Sequence, residues 1–237
     1  MRLDKFVCKS TALSREEATQ VIVAGQVKVN GSQVIQPNAQ VHEDNDILLN
    51  GQLLQPRPFR YLMLHKPAGS ICSNLDERYP SIFSQINLTN SSELHIAGRL
   101  DADTTGLVLA TDDGRWSFNI TRPTQQCYKV YRVGLSQPLT KVAAGRLTDG
   151  VQLQGVADLT LPAKIELLSS TEVKISITEG KFHQVKRMFA AVGNRVVSLH
   201  REQIGGISLD VPVGQWRDLT NEEVSLFASA SELGIQE

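Results

Sequence analysis

The chain has 237 residues, more than one average domain and suited to two, and it can bury a sizeable core without a disulfide or metal. Hydrophobic residues make up 41% and charged residues 21%, which excludes a disordered or fibrous protein. The net charge of −1 argues against a nucleic-acid partner when taken globally, but the charge is unevenly placed.

Leu3, Phe6 and Val7 stand at helical spacing at the start of the chain. Ser14-Arg15-Glu16-Glu17 is a capping box, so a second helix is expected from Arg15. Ala18, Val21 and Ile22 give it an apolar face, and Gly25 is placed to end it. Val27-Lys28-Val29 alternates, and Asn30-Gly31 is a strong hairpin signal with Val34 and Ile35 on the return strand. Val41 and Ile47-Leu48-Leu49 suggest one or two more strands. Residues 1–50 thus read as a small α-α-β-β domain. Residues 51–59 carry two prolines and no amphipathic pattern, and read as a linker.

From Arg60 to the end, residues 60–237, strand signals dominate. Strands are expected over 61–65, 106–111, 128–135, 151–153, 163–168, 172–178, 195–200 and 206–209. Phe182, Val185, Phe189 and Val192 predict one face of a helix that Gly193 stops. Thr220-Asn221-Glu222-Glu223 is a second capping box, opening a final helix to about residue 231. Many strands and few helices, out of strict alternation, mean α+β with a mixed or antiparallel sheet.

No apolar run approaches the roughly 20 residues that span a bilayer. Met1-Arg2-Leu3-Asp4-Lys5 leads into no signal core, so a cytoplasmic protein with no membrane contact is expected. Cys8, Cys72 and Cys127 are far apart and read as reduced thiols. Residues 1–30 hold five basic side chains (Arg2, Lys5, Lys9, Arg15, Lys28) against three acidic ones. Residues 181–201 hold five (Lys181, Lys186, Arg187, Arg195, Arg201) and no carboxylate. The segment after Arg217 holds five acids and no base, which masks both clusters in the total. Basic clusters are the footprint of phosphate binding, and also a common solvated face.

The segment Gly98-Arg99-Leu100-Asp101-Ala102-Asp103-Thr104-Thr105-Gly106 is a polar loop feeding an apolar strand, Leu107 to Ala110. Polar groups at the mouth of a buried strand often form a site, although Asx turns use the same residues. Read as a calcium loop, it has Asp112 where a bidentate Glu belongs, and a strand where a helix belongs. No phosphate loop, dinucleotide fingerprint, zinc-protease motif or nucleophile elbow is present. His42, His65, His95, His183 and His200 show no metal-ligand spacing. Any chemistry must therefore come from carboxylates, lysines, tyrosines and arginines.

Gly98-Arg99-Leu100-Asp101-Ala102-Asp103-Thr104-Thr105-Gly106-Leu107 resembles the catalytic motif of the pseudouridine synthases, in the form carried by their small-subunit rRNA branch. Lys66-Pro67-Ala68-Gly69, Lys129-Val130-Tyr131-Arg132-Val133 and the stretch from Glu179-Gly180 to Gln184-Val185-Lys186-Arg187-Met188 are similar to three further segments of that family, in order. Arg2-Leu3-Asp4-Lys5-Phe6, Ser14-Arg15 and Gly25 to Gly31 resemble the S4 RNA-binding domain. The resemblance implies an S4-like domain over 1–50, a linker, and a catalytic domain over 60–237. It implies a monomer that isomerises a uridine to pseudouridine in 16S rRNA or in a small-subunit assembly intermediate. Such a reaction conserves all atoms, so no cofactor and no metal are expected.

One ionised carboxylate is required, as nucleophile or as base at the ribose C2′. The resemblance assigns it to Asp101 and leaves Asp103 to shape the loop. A covered carboxylate stays ionised when a cation stands within about 4–6 Å. Lys186 is the expected partner, with Arg187 second, since neighbours on a helix point about 100° apart. Tyr131 is expected to stack on the uracil or relay the C5 proton. Arg99 is expected at the flipped nucleotide, and Lys66 as an RNA contact. Arg2, Lys5, Lys9, Arg15 and Lys28 are expected to grip RNA from the N-terminal domain. Two other readings are a non-catalytic RNA-binding assembly factor and the calcium protein weighed above.

Overall fold

In the computed structural model two short helices open the chain, α1 (Leu3–Ser10) and α2 (Arg15–Val23). The structure describes residues 1–42, 44–86, 88, 91, 93–122 and 126–227. The capping box forms: the Ser14 hydroxyl accepts from the Glu17 amide, and the Glu17 carboxylate accepts from the Ser14 amide at 2.8 Å. Four strands follow, β1 (Val27–Val29), β2 (Ser32–Gln33), β3 (Ile47–Leu49) and β4 (Gln52–Leu53), in the order β2-β1-β3-β4. Both hairpins turn on Asn-Gly, with positive φ at Asn30 and Gly31 and again at Asn50 and Gly51. Two consecutive positive φ values give the turn whose twist matches paired strands. The return strand is therefore Ser32–Gln33, not Val34 and Ile35. Residues 51–53 belong to the sheet and not to a linker, because the second Asn-Gly pair folds them back onto β3. Leu3, Phe6, Val7, Ala18, Ile22, Val27 and Ile47 form the core, in which each side chain larger than alanine contributes about 1.5–3 kcal/mol when fully buried. Met1–Pro58 make one compact unit and Phe59–Glu237 another.

The second unit holds β5 (Tyr61–Lys66), α3 (Ile82–Gln85), β6 (His95–Ala97), β7 (Thr105–Thr111), α4 (Gly114–Thr121), β8 (Lys129–Leu135) and α5 (Lys141–Asp149). It continues with β9 (Lys164–Leu167), β10 (Glu172–Ile177), α6 (Gln184–Ala191), β11 (Val196–Ile204), β12 (Ile207–Ser208), β13 (Trp216–Asp218) and α7 (Asn221–Ser225). Among the described residues nine strands make one mixed sheet with the path β13-β5-β7-β11-β8-β10-β9. Only β7 and β11 pair in parallel on this path. The architecture is α+β, as expected from the pattern of elements.

Several local expectations are corrected. Residues 151–153 form no strand; Gln152 makes a single bridge to Leu159, while Val151 and Leu153 are buried. The Asp113 carboxylate accepts from the Arg115 and Trp116 amides and caps α4. The core face of α6 is Val185, Met188 and Phe189. Phe182 lies ahead of the helix and is exposed. The capping box at Thr220 forms, but α7 ends at Ser225, and residues 228–231 of the expected helix lie outside the described residues.

One edge of β7 is shared by two strands. Thr105 and Gly106 pair with His200 and Arg201 of β11, while Leu109 to Thr111 pair with β6. Between these contacts the sheet forks. Gly106 has φ of +112°, and a Cβ there would overlap the backbone of Arg201. Only glycine lets the two strands approach so closely.

Candidate active site

The fork opens onto a cavity of about 710 Å³. The loop 98–104, strands β8 and β11, and the entry to α6 line it. Asp101 stands on the loop. Its Oδ2 lies 3.0 Å from Lys186 Nζ, and its Oδ1 lies 3.3 Å from His183 Nε2. The same ammonium reaches Asp103 Oδ1 at 2.6 Å. Lys186, on the first turn of α6, thus bridges two carboxylates that a single turn brings to one side. Its hydrogen bond holds Asp103 below the ordinary carboxylate value, against burial. Burial pulls the Lys186 ammonium down, but the bonds to Asp103 and Asp101 outweigh it and leave it above the ordinary lysine value.

The loop is pinned from beneath. Lys66 is 0% exposed. Its ammonium donates to the carbonyls of Pro67, Ala102 and Thr104 at 3.0, 3.2 and 2.8 Å. The Gly69 amide donates to the Ala102 carbonyl at 2.8 Å, and the Leu100 amide to Cys72 Sγ at 3.3 Å. Lys66 therefore braces the loop; expected as an RNA contact, it is covered on every side. Burial pushes its ammonium below the ordinary value.

Tyr131 is on β8, where Lys129, Tyr131, Val133 and Leu135 alternate inward. It lines the cavity, 7% exposed, and its hydroxyl accepts from Arg201 Nη1 at 3.4 Å. Arg201 is 1% exposed and fills the fork in the sheet. Its Nε donates to the Leu107 carbonyl at 2.8 Å and its Nη2 to the Gly98 carbonyl at 2.7 Å. One guanidinium thus satisfies the carbonyls that the diverging strands leave unpaired, and sets the tyrosine beneath Asp101's loop. Sequence reasoning counted Arg201 only as one more member of a basic cluster.

The entry to α6 locks itself. Glu179 is buried; its Oε1 accepts from Gln184 Nε2 at 2.6 Å and from the Leu161 amide at 2.9 Å. Gln184 Oε1 accepts from the Lys181 amide at 2.7 Å. His183 follows in the left-handed region, φ 48°, which turns its ring toward Asp101. Arg187 does not face the carboxylates. Its guanidinium donates to the carbonyls of Phe182, at 3.2 Å, and Gln154, tying the same turn. Arg99 is exposed at the cavity rim and makes no hydrogen bond or ion pair among the described residues.

In the first unit Asp4 is buried and holds two of the expected RNA contacts. Arg2 lies 2.7 Å and Arg15 3.5 Å from its Oδ2. Lys9 is buried, which removes it as a phosphate ligand, whereas Lys5 is half-buried and Lys28 exposed. Among the described residues no helix is long and apolar enough to cross a membrane.

The RNA pseudouridylate synthase family model matches residues 60–191, and the S4 domain model matches residues 1–48. The ribosomal small subunit pseudouridine synthase A of Vibrio cholerae serotype O1 is 45% identical over 229 residues, covering 95% of this chain and 98% of that protein. The protein of the same name from Escherichia coli strain K12 is 46% identical over 228 residues, covering 95% and 99%. A crystal structure of a pseudouridylate synthase matches with a TM-score of 0.70 at 42% identity, over 96% of this chain and 100% of that one. Matched over nearly its whole length by these proteins, the chain belongs to the RNA pseudouridylate synthase family and carries an S4 domain at its N-terminus.

Proposed function

We propose that the protein isomerises a uridine of 16S rRNA to pseudouridine, with Asp101 as the essential carboxylate. The observation that carries this reading is the Asp101–Lys186 pair at 3.0 Å, on the lip of a cavity that Tyr131 lines. In the reaction the N1–C1′ bond breaks, the C5–C1′ bond forms, and one proton passes from C5 to N1. Nothing is oxidised and no group leaves. Lys186 keeps the carboxylate charged when an RNA base covers it, because the opposite charge offsets desolvation. Tyr131, fixed by Arg201, supplies the wall against which the extruded uracil lies. Arg99, at the rim and without a partner among the described residues, takes a phosphate of the flipped nucleotide.

The relatives named for the ribosomal small subunit support the choice of RNA, and the S4 domain supports a second grip on it. Two modest contacts on one chain raise affinity through effective concentration. The enzyme works as a monomer in the cytoplasm, where its three buried cysteines stay reduced.

Release of tritium from 16S rRNA labelled at the uridine C5 tests the reading. The wild-type chain is expected to release it at one site, and Asp101→Asn to bind the same RNA without release. Turnover by a folded Asp101→Asn protein would remove Asp101 from the reaction.

A further inference from the structure

Phe182 is 74% exposed, among the most exposed large hydrophobic residues described. Single exposed apolar side chains are ordinary. This one differs in being held. Its ring stacks on His183 with centroids 3.7 Å apart and planes 21° from parallel. His183 in turn stands 3.3 Å from Asp101 Oδ1. The Phe182 carbonyl accepts from Arg187, and Glu179 and Gln184 brace the turn on its other side. Both rings line the rim of the catalytic cavity. One face of the phenyl ring is covered by imidazole, and the side chain is otherwise open to solvent.

We propose that Phe182, backed by His183, is a stacking platform for a nucleobase flanking the extruded uridine, so that the flanking base, the phenyl ring, the imidazole and Asp101 form one continuous column. Unpaired RNA bases are held by stacking on aromatic side chains, and every base offers a π face. Arg99 beside the cavity supplies positive charge for a phosphate next to such a base. His183 meets the carboxylate at one edge and Phe182 with its face, so a base seated on Phe182 anchors the RNA beside Asp101. Phe182 is thus a positioning residue, and it rests on the reading of the chain as an RNA-modifying enzyme.

The test uses the full chain and a 16S rRNA fragment that the wild-type enzyme modifies, with 2-aminopurine placed on the 5′ or the 3′ side of the target uridine. Stacking on Phe182 quenches the probe at one of the two positions when wild-type protein binds. Phe182→Leu is expected to lose that quench and to raise KM on the order of tenfold, the size of one base–aromatic stack. Its kcat at saturation changes less, and its melting temperature not at all, because the ring is exposed. Phe182→Trp restores both quench and KM. Unchanged quenching and KM in Phe182→Leu would overturn the proposal. So would a defect seen only on a small-subunit ribonucleoprotein and not on naked rRNA, which would mean that the ring docks on protein. If the wild-type chain itself releases no tritium, the functional reading fails, and that outcome is distinct from either of these.

Discussion

Lys186 carries the charge balance of the site, since one ammonium serves both Asp101 and Asp103. The signs of the shifts set its working range. Asp103 lies below its ordinary 3.8, so its stabilisation is present above that pH and fades as pH falls through the lower folded value. Lys186 lies above its ordinary 10.5, so its stabilisation is complete below that pH and fades as pH rises through the higher folded value. Between those limits Asp103 and Lys186 are both charged, and kcat/KM is expected to show no limb arising from this pair. Lys186→Met removes the cation and leaves two carboxylates facing each other. Activity at neutral pH is expected to fall on the order of a hundredfold and to recover in part as pH rises. The Lys186 and Asp101 side chains are 26% and 28% exposed, so solvent screens some of the loss. Arg187→Met is expected to leave the shape of the pH–rate profile unchanged and to cost about 1–2 kcal/mol of stability, because its guanidinium holds two carbonyls. An alkaline shift in Arg187→Met and none in Lys186→Met would reverse the two roles.

Among the elements, the parallel contact between β7 and β11 places the tyrosine and closes the fork. Gly106→Ala forces a side chain into the Arg201 backbone at φ +112°. It is expected to cost about 2–3 kcal/mol and lower Tm by roughly 5–10 °C, with kcat falling further than stability alone accounts for. An unchanged Tm, measured by calorimetry, would mean that the strands have slack there. What the sequence made legible divides by distance along the chain. Capping boxes at Ser14 and Thr220 and the turn at Asn30-Gly31 are local, and they stand where the residues predict. The Asp101–Lys186 pair was read from resemblance, and the geometry brings the two together. The functions of Lys66 and Arg201 were not legible, because burial under a loop or in a fork depends on strand pairings between distant segments. Phe182 was misplaced for a smaller reason: its spacing fits the face of α6, but the left-handed residue His183 breaks the helix before it. The second Asn-Gly turn, at Asn50, carries the same signal as the first, although two prolines follow it.

Considered whole, the chain has fewer free cations than its composition suggests. Of the ten basic residues in the two clusters, Lys9 and Arg201 are buried, and Arg2, Arg15, Lys181, Lys186 and Arg187 hold partners. Lys5, Lys28 and Arg195 form no ion pair among the described residues, and Arg99 outside the clusters is likewise unengaged. Four phosphate contacts at about −0.7 each give a log–log salt slope near −3, shallower than ten would give. Filter binding at a series of salt concentrations checks this, and a slope of about −4 would show that Arg2 and Arg15 let go of Asp4 on RNA and add two contacts. A chain beginning at Phe59 is expected to fold, since the cores of the two units share no residue. It should bind 16S rRNA more weakly than the full chain and still release tritium at saturating RNA. Equal affinity for both chains would leave the first unit without a role in binding.

The fork in the sheet also sets when the enzyme becomes active. Thr105 meets His200 across 95 residues of chain, and Gly106 meets Arg201 beside it. Contacts between such distant segments form late, because a long loop must close before they return any energy. The hairpins of the first unit and the β8–β10 ladder close shorter loops. On dilution from denaturant, far-ultraviolet ellipticity should therefore return before tritium-releasing activity does. During synthesis a chain that has not yet reached Arg201 carries its aspartate on a loop with no cavity behind it, and the site comes into being only when the last strand of the fork arrives.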